Sequence, residues 1–542
     1  MSSKLLARSA QGASFLILLQ VASRALTFIV NQVLLRFLSP QILGIATQLE
    51  LFSISTLYFS RESARVVLQR QASDGDGESS TKDSKKKDTS RALPRSLDVA
   101  ISLSSISILI GLPLSLLFRH TYAASASAEL LESPNFVEAL DIYTLATVLE
   151  LVHEPLFAVA QHDLSYGIRT SAELLATIAR CLVTCTFSMH LYRQGQPASV
   201  LPFAIGQLTY SILLNLSYAI QLRQLPQLRA LSHFHIPRSL LKLTATLYGQ
   251  SLFKQLLTSG DSYLISLLTS LESQGAYALA TNYGSLLARL LFQPIEEASR
   301  TLLSRLLAQP SSPSAQSAQD EKTPKNQEPS SANVAQASRY IHTILHLYTL
   351  MSLILVLLPP VIPSALAIIA GPQWANTLAP SVLAAYLYYL PLLAFNGLLE
   401  AYVASVATPS QLRQQSAWMV AWSLIFAVSG WIVLDKLAMG ARGLVWANCA
   451  TMVGRIGWSW LFVDGDLKTR GEALRLSSIV PQQGLGLGFA IAGRATLESL
   501  NTTQGTGALL RMGAILAVTG LAILFAERYF LVECWNMIKP KR

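Results

Sequence analysis

Charged side chains embedded in apolar sequence are the residues with chemistry to offer here. Six cations (Arg24, Arg36, Arg61, Lys254, Arg289 and Arg455) and five carboxylates (Glu150, Glu154, Asp261, Glu296 and Glu400) lie within or at the ends of long hydrophobic runs. A charge at the centre of a membrane-spanning helix costs at least about 2.5–3.5 kcal/mol on insertion scales. Each such residue therefore needs a partner, a ligand or a water-filled cavity. Arginine suits a phosphate or pyrophosphate, because its planar fork matches two oxygens at once and stays charged when desolvated. Glu150 and Glu154 stand one helical turn apart, with His153 beside them and Pro155 after. Like charges at that spacing repel, which calls for a protonated member, a proton or cation site, or an arginine partner. The plainer alternatives are ion pairs between helices, as Glu173 with Arg180, and snorkelling of Arg36, Arg61 and Glu297 near helix ends.

These residues must be positioned by membrane helices. Only 13% of the 542 residues are charged and 51% are hydrophobic, against roughly 25% charged in soluble domains. Runs of the ~20 apolar residues needed to cross a bilayer recur about 14 times, at 13–38, 42–61, 97–118, 139–161, 168–190, 199–221, 246–270, 276–305, 340–370, 378–407, 412–434, 440–463, 477–493 and 507–526. The runs are continuous rather than alternating, which argues against a barrel. The first is too long for a cleavable signal and reads as an anchor.

The net charge of +10 sits in loops, so it reports topology rather than nucleic-acid binding. Loop 62–96 carries Arg65, Arg70, Lys82, Lys85, Lys86, Lys87, Arg91 and Arg95, and the following loop has Arg119 with three glutamates. That alternation places both termini in the cytosol and puts the glycosylation sequon at Asn501 on the lumenal side. Residues 71–90 and 309–337 are poor in large apolar side chains and are expected to be disordered cytosolic linkers. The hairpin ending Arg61-Glu62-Ser63-Ala64-Arg65 is echoed six spans later by one ending Glu296-Glu297-Ala298-Ser299-Arg300, the pattern of a parallel two-lobed repeat. The expected fold is an all-α membrane protein of about 14 helices in two six-helix lobes around a central cavity, with two additional C-terminal helices. The lobes span 1–230 and 231–465, and 466–542 holds the extra helices and a basic tail.

No enzyme signature is visible. His153-Glu154 opens like a zinc-protease motif but lacks the second histidine, and His342 with His346 lacks a third ligand. The alternate glycines Gly484, Gly486 and Gly488 follow no strand, so they suit close helix packing better than nucleotide binding. The four cysteines are too scattered for a disulfide framework or a metal site. No catalytic residue, cofactor, metal or nucleic-acid partner is expected.

Several segments carry a resemblance. They are Leu18-Leu19-Gln20-Val21-Ala22-Ser23-Arg24 running on to Leu35-Arg36-Phe37-Leu38-Ser39, Glu150-Leu151-Val152-His153-Glu154-Pro155, Phe253-Lys254-Gln255, Asn396-Gly397-Leu398-Leu399-Glu400 and Trp446-Ala447-Asn448-Cys449. The most specific is Tyr283-Gly284-Ser285-Leu286-Leu287-Ala288-Arg289 leading into Phe292-Gln293-Pro294-Ile295-Glu296-Glu297. Together, over about residues 15 to 465, they resemble the Rft family of oligosaccharide translocation proteins. That family is grouped with lipid-linked oligosaccharide flippases and multidrug exporters.

The resemblance implies an endoplasmic reticulum membrane protein. It would bring the oligomannose diphosphodolichol precursor of N-glycosylation from the cytosolic to the lumenal leaflet. A non-transporting accessory that binds or presents the glycolipid is the alternative. Bacterial lipid II flippases place arginines of helices 1, 2 and 8 in their cavity, and Arg24, Arg61 and Arg289 are the positional counterparts. Arg36, Lys254 and Arg455 are then further cavity cations for the diphosphate, and Glu150, Glu154, Asp261, Glu296 and Glu400 serve sugar contact or gating. An exporter of small cations is a third reading, disfavoured by the arginine-rich spans.

Overall fold

Wherever the chain is described, the apolar runs are helical. The computed structural model describes residues 27–75, 89–162, 165–222, 236–307, 331–475, 479, 485–500 and 506–538, with no strand among them. The chain forms two compact units, Met1–Ser262 and Tyr263–Arg542.

The first unit contains α1 (27–35), α2 (Pro40–Gly75), α3 (Thr89–Ala124), the short α4 (Ala128–Leu131), α5 (Phe136–Val152), α6 (Glu154–His162), α7 (Tyr166–Arg193), α8 (Leu201–Leu222) and most of α9 (Arg238–Leu268). One core joins Ala64, Val67 and Leu68 of α2 to Ala100 and Leu103 of α3, Ala158 of α6 and Leu247 of α9. Another packs Leu156 and Ala160 of α6 on Ala172 and Ala176 of α7 and Leu214 and Tyr218 of α8. Pro155 has no N–H to give the preceding turn, and the helix breaks at His153, between α5 and α6.

The second unit contains α10 (Leu271–Leu287), a π turn at Ala288–Phe292, α11 (Gln293–Leu307), α12 (Ser331–Val356), α13 (Ile362–Ile369), α14 (Pro372–Ala375), α15 (Ala379–Val406), α16 (Pro409–Trp431), α17 (Gly440–Thr469), α18 (Leu485–Leu500), α19 (Thr506–Ala526) and α20 (Arg528–Ile538). The π turn ends two residues before Pro294, whose ring crowds the carbonyl four residues back, that of Leu290, and widens the helix there. Leu350 and Leu357 pack against Ala490, Leu497, Met512 and Ile523, which fixes α18 and α19 onto the α12 side of this unit.

Eight helices among the described residues are long and apolar enough to cross a membrane, or nine if the bent pair Leu510–Ala526 and Arg528–Cys534 is one span. Their outer faces leave Leu109, Leu116, Leu117, Leu424, Val428, Val518 and Leu521 exposed. So much exposed apolar surface is intolerable in water and is solvated by hydrocarbon. The chain is a multi-pass membrane protein.

Two expectations change. Helix α2 runs on to Gly75 and α12 begins at Ser331, so both enter stretches expected to be disordered. In the second case Val334 and Ala337 are buried, and burial offsets the ordering entropy that composition alone leaves uncompensated. Residues 76–88 and 308–330 lie outside the described residues.

Candidate functional site

The break at His153 does structural work. It lets Glu150, at the end of α5, and Glu154, at the start of α6, both turn toward α2. Arg61 of α2 donates through Nη1 to Glu150 Oε1 at 3.0 Å and to Glu154 Oε1 at 3.1 Å. One turn further along α2, Arg65 grips Glu154 with two bonds, Nε to Oε2 at 2.9 Å and Nη2 to Oε1 at 2.6 Å. The Arg65 guanidinium also lies 4.0 Å from the centre of the Phe157 ring. Both glutamates are buried, Glu154 to 1% exposure. The repulsion expected between them is removed by two guanidiniums, a two-against-two arrangement that desolvates without net charge.

Arg61, Arg65, Glu150 and Gln207 line a cleft of about 320 Å³ in the first unit, along with Glu50, Arg180 and three tyrosines. Arg180 of α7 donates to Glu50 of α2 at 3.1 Å. Gln207 of α8 offers Nε2 to Glu150 Oε2 at 3.5 Å. Helix α8 reaches α7 closely at Gly206, where a Cβ would overlap the Thr184 hydroxyl and lie 3.1 Å from the Arg180 carbonyl. That contact holds Arg180 and Gln207 on adjacent walls. Three guanidiniums (Arg61, Arg65, Arg180) face three carboxylates (Glu50, Glu62, Glu150), so the formal charges of the lining cancel.

The pairing of Glu173 with Arg180 is not found. Glu173 instead bonds Arg169 at 3.0 Å. Seven residues along a helix separate two groups by about 10 Å, and α2 brings Glu50 closer to Arg180 than its own helix brings Glu173.

The second unit gathers another set. Arg455 of α17 donates to Glu400 of α15 at 3.0 Å, and Asn396 donates to the same oxygen at 2.7 Å. Glu296 of α11 bonds Arg300 at 3.2 Å, and its carboxylate would lie 2.9 Å from a Cβ at Gly397. Glu296 thus abuts the helix turn that carries Asn396 and Glu400. Asp261, Lys254 and Arg36 belong to the first unit, and Asp261 there accepts its neighbour's N–H, that of Ser262, at 2.8 Å. Lys254 is 68% exposed, 3.6 Å from Glu62. Arg36 lies exposed in the turn after α1 and is not among the cleft residues. Arg289 stands on the π turn, a feature frequent at functional sites. Arg24 and Asn501 lie outside the described residues.

Among the lining residues, Arg65, Gln207 and Tyr143 were not singled out as site residues from sequence. Arg65 was legible in principle, four residues after Arg61 and so on the same helix face. Gln207 and Tyr143 carry no charge, and nothing in their local sequence marks them.

Comparison with known proteins gives a consistent picture. The sequence model of the family described as Rft protein matches residues 8–537. A Saccharomyces cerevisiae relative, named Man(5)GlcNAc(2)-PP-dolichol translocation protein RFT1, is 31% identical, with 85% of this chain and 84% of that protein covered. The Schizosaccharomyces pombe protein of the same name is 32% identical over 85% of this chain and 84% of its own length. The mouse protein of that name is 27% identical over 85% and 83%. Among solved structures, the lipid II flippase MurJ in its inward closed conformation aligns with a TM-score of 0.62 at 13% identity, covering 95% of this chain and 99% of that one. An inward-facing multidrug resistance MATE family transporter of the MOP superfamily aligns with a TM-score of 0.55 at 14% identity, covering 82% and 95%. At those identities the likeness is one of fold.

Proposed function

The chain belongs to the Rft protein family, and from that membership we propose that it moves the oligomannose diphosphodolichol precursor of N-glycosylation from the cytosolic to the lumenal leaflet of the endoplasmic reticulum. The observation that carries the reading is the match over more than four-fifths of both lengths to yeast proteins named for translocating that glycolipid. A fold shared with a lipid II flippase agrees with it. So does a polar cleft built among membrane-spanning helices, since polar groups at that depth line a pathway or pair with one another.

On this reading about 14 spans form two six-helix lobes, 1–230 and 231–465, around a central cavity. The division of the chain into two compact units and the helical content of every described span support a two-lobed helical arrangement, although the units divide after Ser262, within α9, rather than at 230. Residues 466–542 add two helices, and both termini are cytosolic. We place the diphosphate on Arg24 and Arg289, because Arg61 and Arg455 already hold carboxylates. The dolichol tail stays in lipid, and rocking of the lobes exchanges access between leaflets. No catalytic step is needed.

The test uses purified protein in liposomes with labelled glycolipid, whose leaflet exposure is followed by an impermeant probe. Wild-type protein accelerates exchange. Arg24→Ala and Arg289→Ala each slow it roughly 10- to 100-fold, the value of about 1.5–3 kcal/mol for a charged hydrogen bond. No acceleration by protein that binds the glycolipid would replace transport with a presenting role.

Orientation has its own check. Glycosylation at Asn501 requires the loop before α19 to be lumenal, so Asn501→Gln should abolish a glycosidase-sensitive gel shift. A glycosidase-sensitive form that persists in the variant, or a wild-type chain that carries no glycan, would count against this topology.

A further inference from the structure

We propose that the cleft of the first unit is a carbohydrate subsite, which reads the neutral hydroxyls of the glycolipid's saccharide and not its diphosphate. The inference rests on the glycolipid reading given above and assigns one part of that ligand to one place.

Charge balance is the first argument. The lining holds as many carboxylates as guanidiniums. Behind it, Glu154 adds a negative charge next to Arg61 and Arg65, and Lys254 adds a positive one next to Glu62. A diphosphate entering here would have to displace glutamates already bonded at 2.6–3.1 Å, and would then face them unpaired at close range. A sugar brings no net charge. Its hydroxyls both donate and accept, so they can add to an existing lattice of ion pairs without breaking it.

Unfilled hydrogen-bonding capacity is the second argument. Three lining residues keep unspent capacity: Gln207 Oε1 is buried with no hydrogen-bond partner, and Tyr143 and Tyr58, whose oxygens face the cations Arg180 and Lys254, still have their own O–H to donate. Tyr143 is 1% exposed and Gln207 6%. Buried polar groups are almost always paired, and an orphan asks for an explanation. Gln207 spends its Nε2 on Glu150, which leaves Oε1 as an acceptor. The tyrosine hydroxyls supply donors. The three groups come from α2, α5 and α8, three walls of one cleft. Neutral donors and acceptors interleaved with planar charged groups and aromatic rings are the means of recognising a polyhydroxyl compound. A volume of about 320 Å³ lies at the small end of ligand pockets, room for part of a saccharide and not for the whole glycolipid.

The experiment compares binding of two lipids to the purified full chain: dolichyl diphosphate bearing the oligomannose headgroup, and dolichyl diphosphate bearing none. Wild-type protein should prefer the first. Tyr143→Phe, which removes one oxygen and keeps the ring, and Gln207→Leu should each weaken binding of the oligomannose lipid roughly 2- to 10-fold, the worth of one neutral hydrogen bond. Neither should alter binding of the sugar-free lipid. Equal binding of both lipids by wild type would overturn the subsite and leave the glycolipid reading standing. An equal loss on both lipids in the Phe variant would mean a structural role and would also overturn it. Binding of neither lipid would remove the glycolipid reading, and this inference with it.

Discussion

Replacing Glu154 with glutamine should destabilise the first unit by about 3–5 kcal/mol, the usual cost of removing one member of a buried ion pair. Glu154 is 1% exposed and is the shared acceptor of Arg61 and Arg65. The glutamine keeps the shape but cannot balance two guanidiniums, whose side chains are only 19% and 20% exposed. They would be left with Glu150 alone. For a folding unit of this size the midpoint of thermal unfolding in detergent should fall by roughly 6–20 °C. The change also frees the α2 end of the clamp from α6, so protease sensitivity should rise near the break at His153. Arg65→Lys is the graded comparison. It retains charge but loses the two-point grip and part of the stacking on Phe157, so its midpoint should lie between those of wild type and Glu154→Gln. An unchanged midpoint for Glu154→Gln would mean that water, not glutamate, solvates the two arginines.

Packing in the second unit should be equally intolerant at Gly284. A Cβ there would overlap Tyr386 Cε1 and lie 2.7 Å from Cδ1 and 3.1 Å from Cζ of the same ring. Tyr386 is buried and packs edge-on against Tyr389 with centroids 5.3 Å apart, so it has little room to swing. Gly284→Ala should cost about 1–3 kcal/mol, the range for overpacking a close-packed interior, and Gly284→Leu more. A double-mutant cycle decides the mechanism. Tyr386→Leu shortens the obstructing side chain, so Gly284→Ala should be much less damaging in that background than in wild type. Purely additive effects would place the cost in the helix backbone and not in the α10–α15 contact. The same substitution bears on function, because Gly284 lies just before the π turn that carries Arg289, and a shift of α10 re-aims that turn.

The order of the helices and their membrane character were legible in the sequence because a single physical length controls them. A bilayer demands about 20 apolar residues per crossing, and the chain meets that demand in continuous runs. The break at His153 was legible too, since Pro155 removes a helix hydrogen bond and disfavours a helical residue just before it. So was the repulsion between Glu150 and Glu154, which follows from spacing alone and leaves a protonated member, a cation site or an arginine partner as its resolutions. Residue identity and spacing did not reveal which cation answers which carboxylate. Arg180 pairs with Glu50 on another helix rather than with Glu173 on its own, and Arg455 with Glu400 across 55 positions of sequence. Such choices depend on which helices are neighbours and how each is rotated, and close approaches such as Gly206 against Thr184 set both. Tertiary structure alone also turned Tyr143 and Gln207 into site residues. An uncharged tyrosine or glutamine in an apolar run has no local signature; it acquires a role only when packing brings its polar atom beside a cleft.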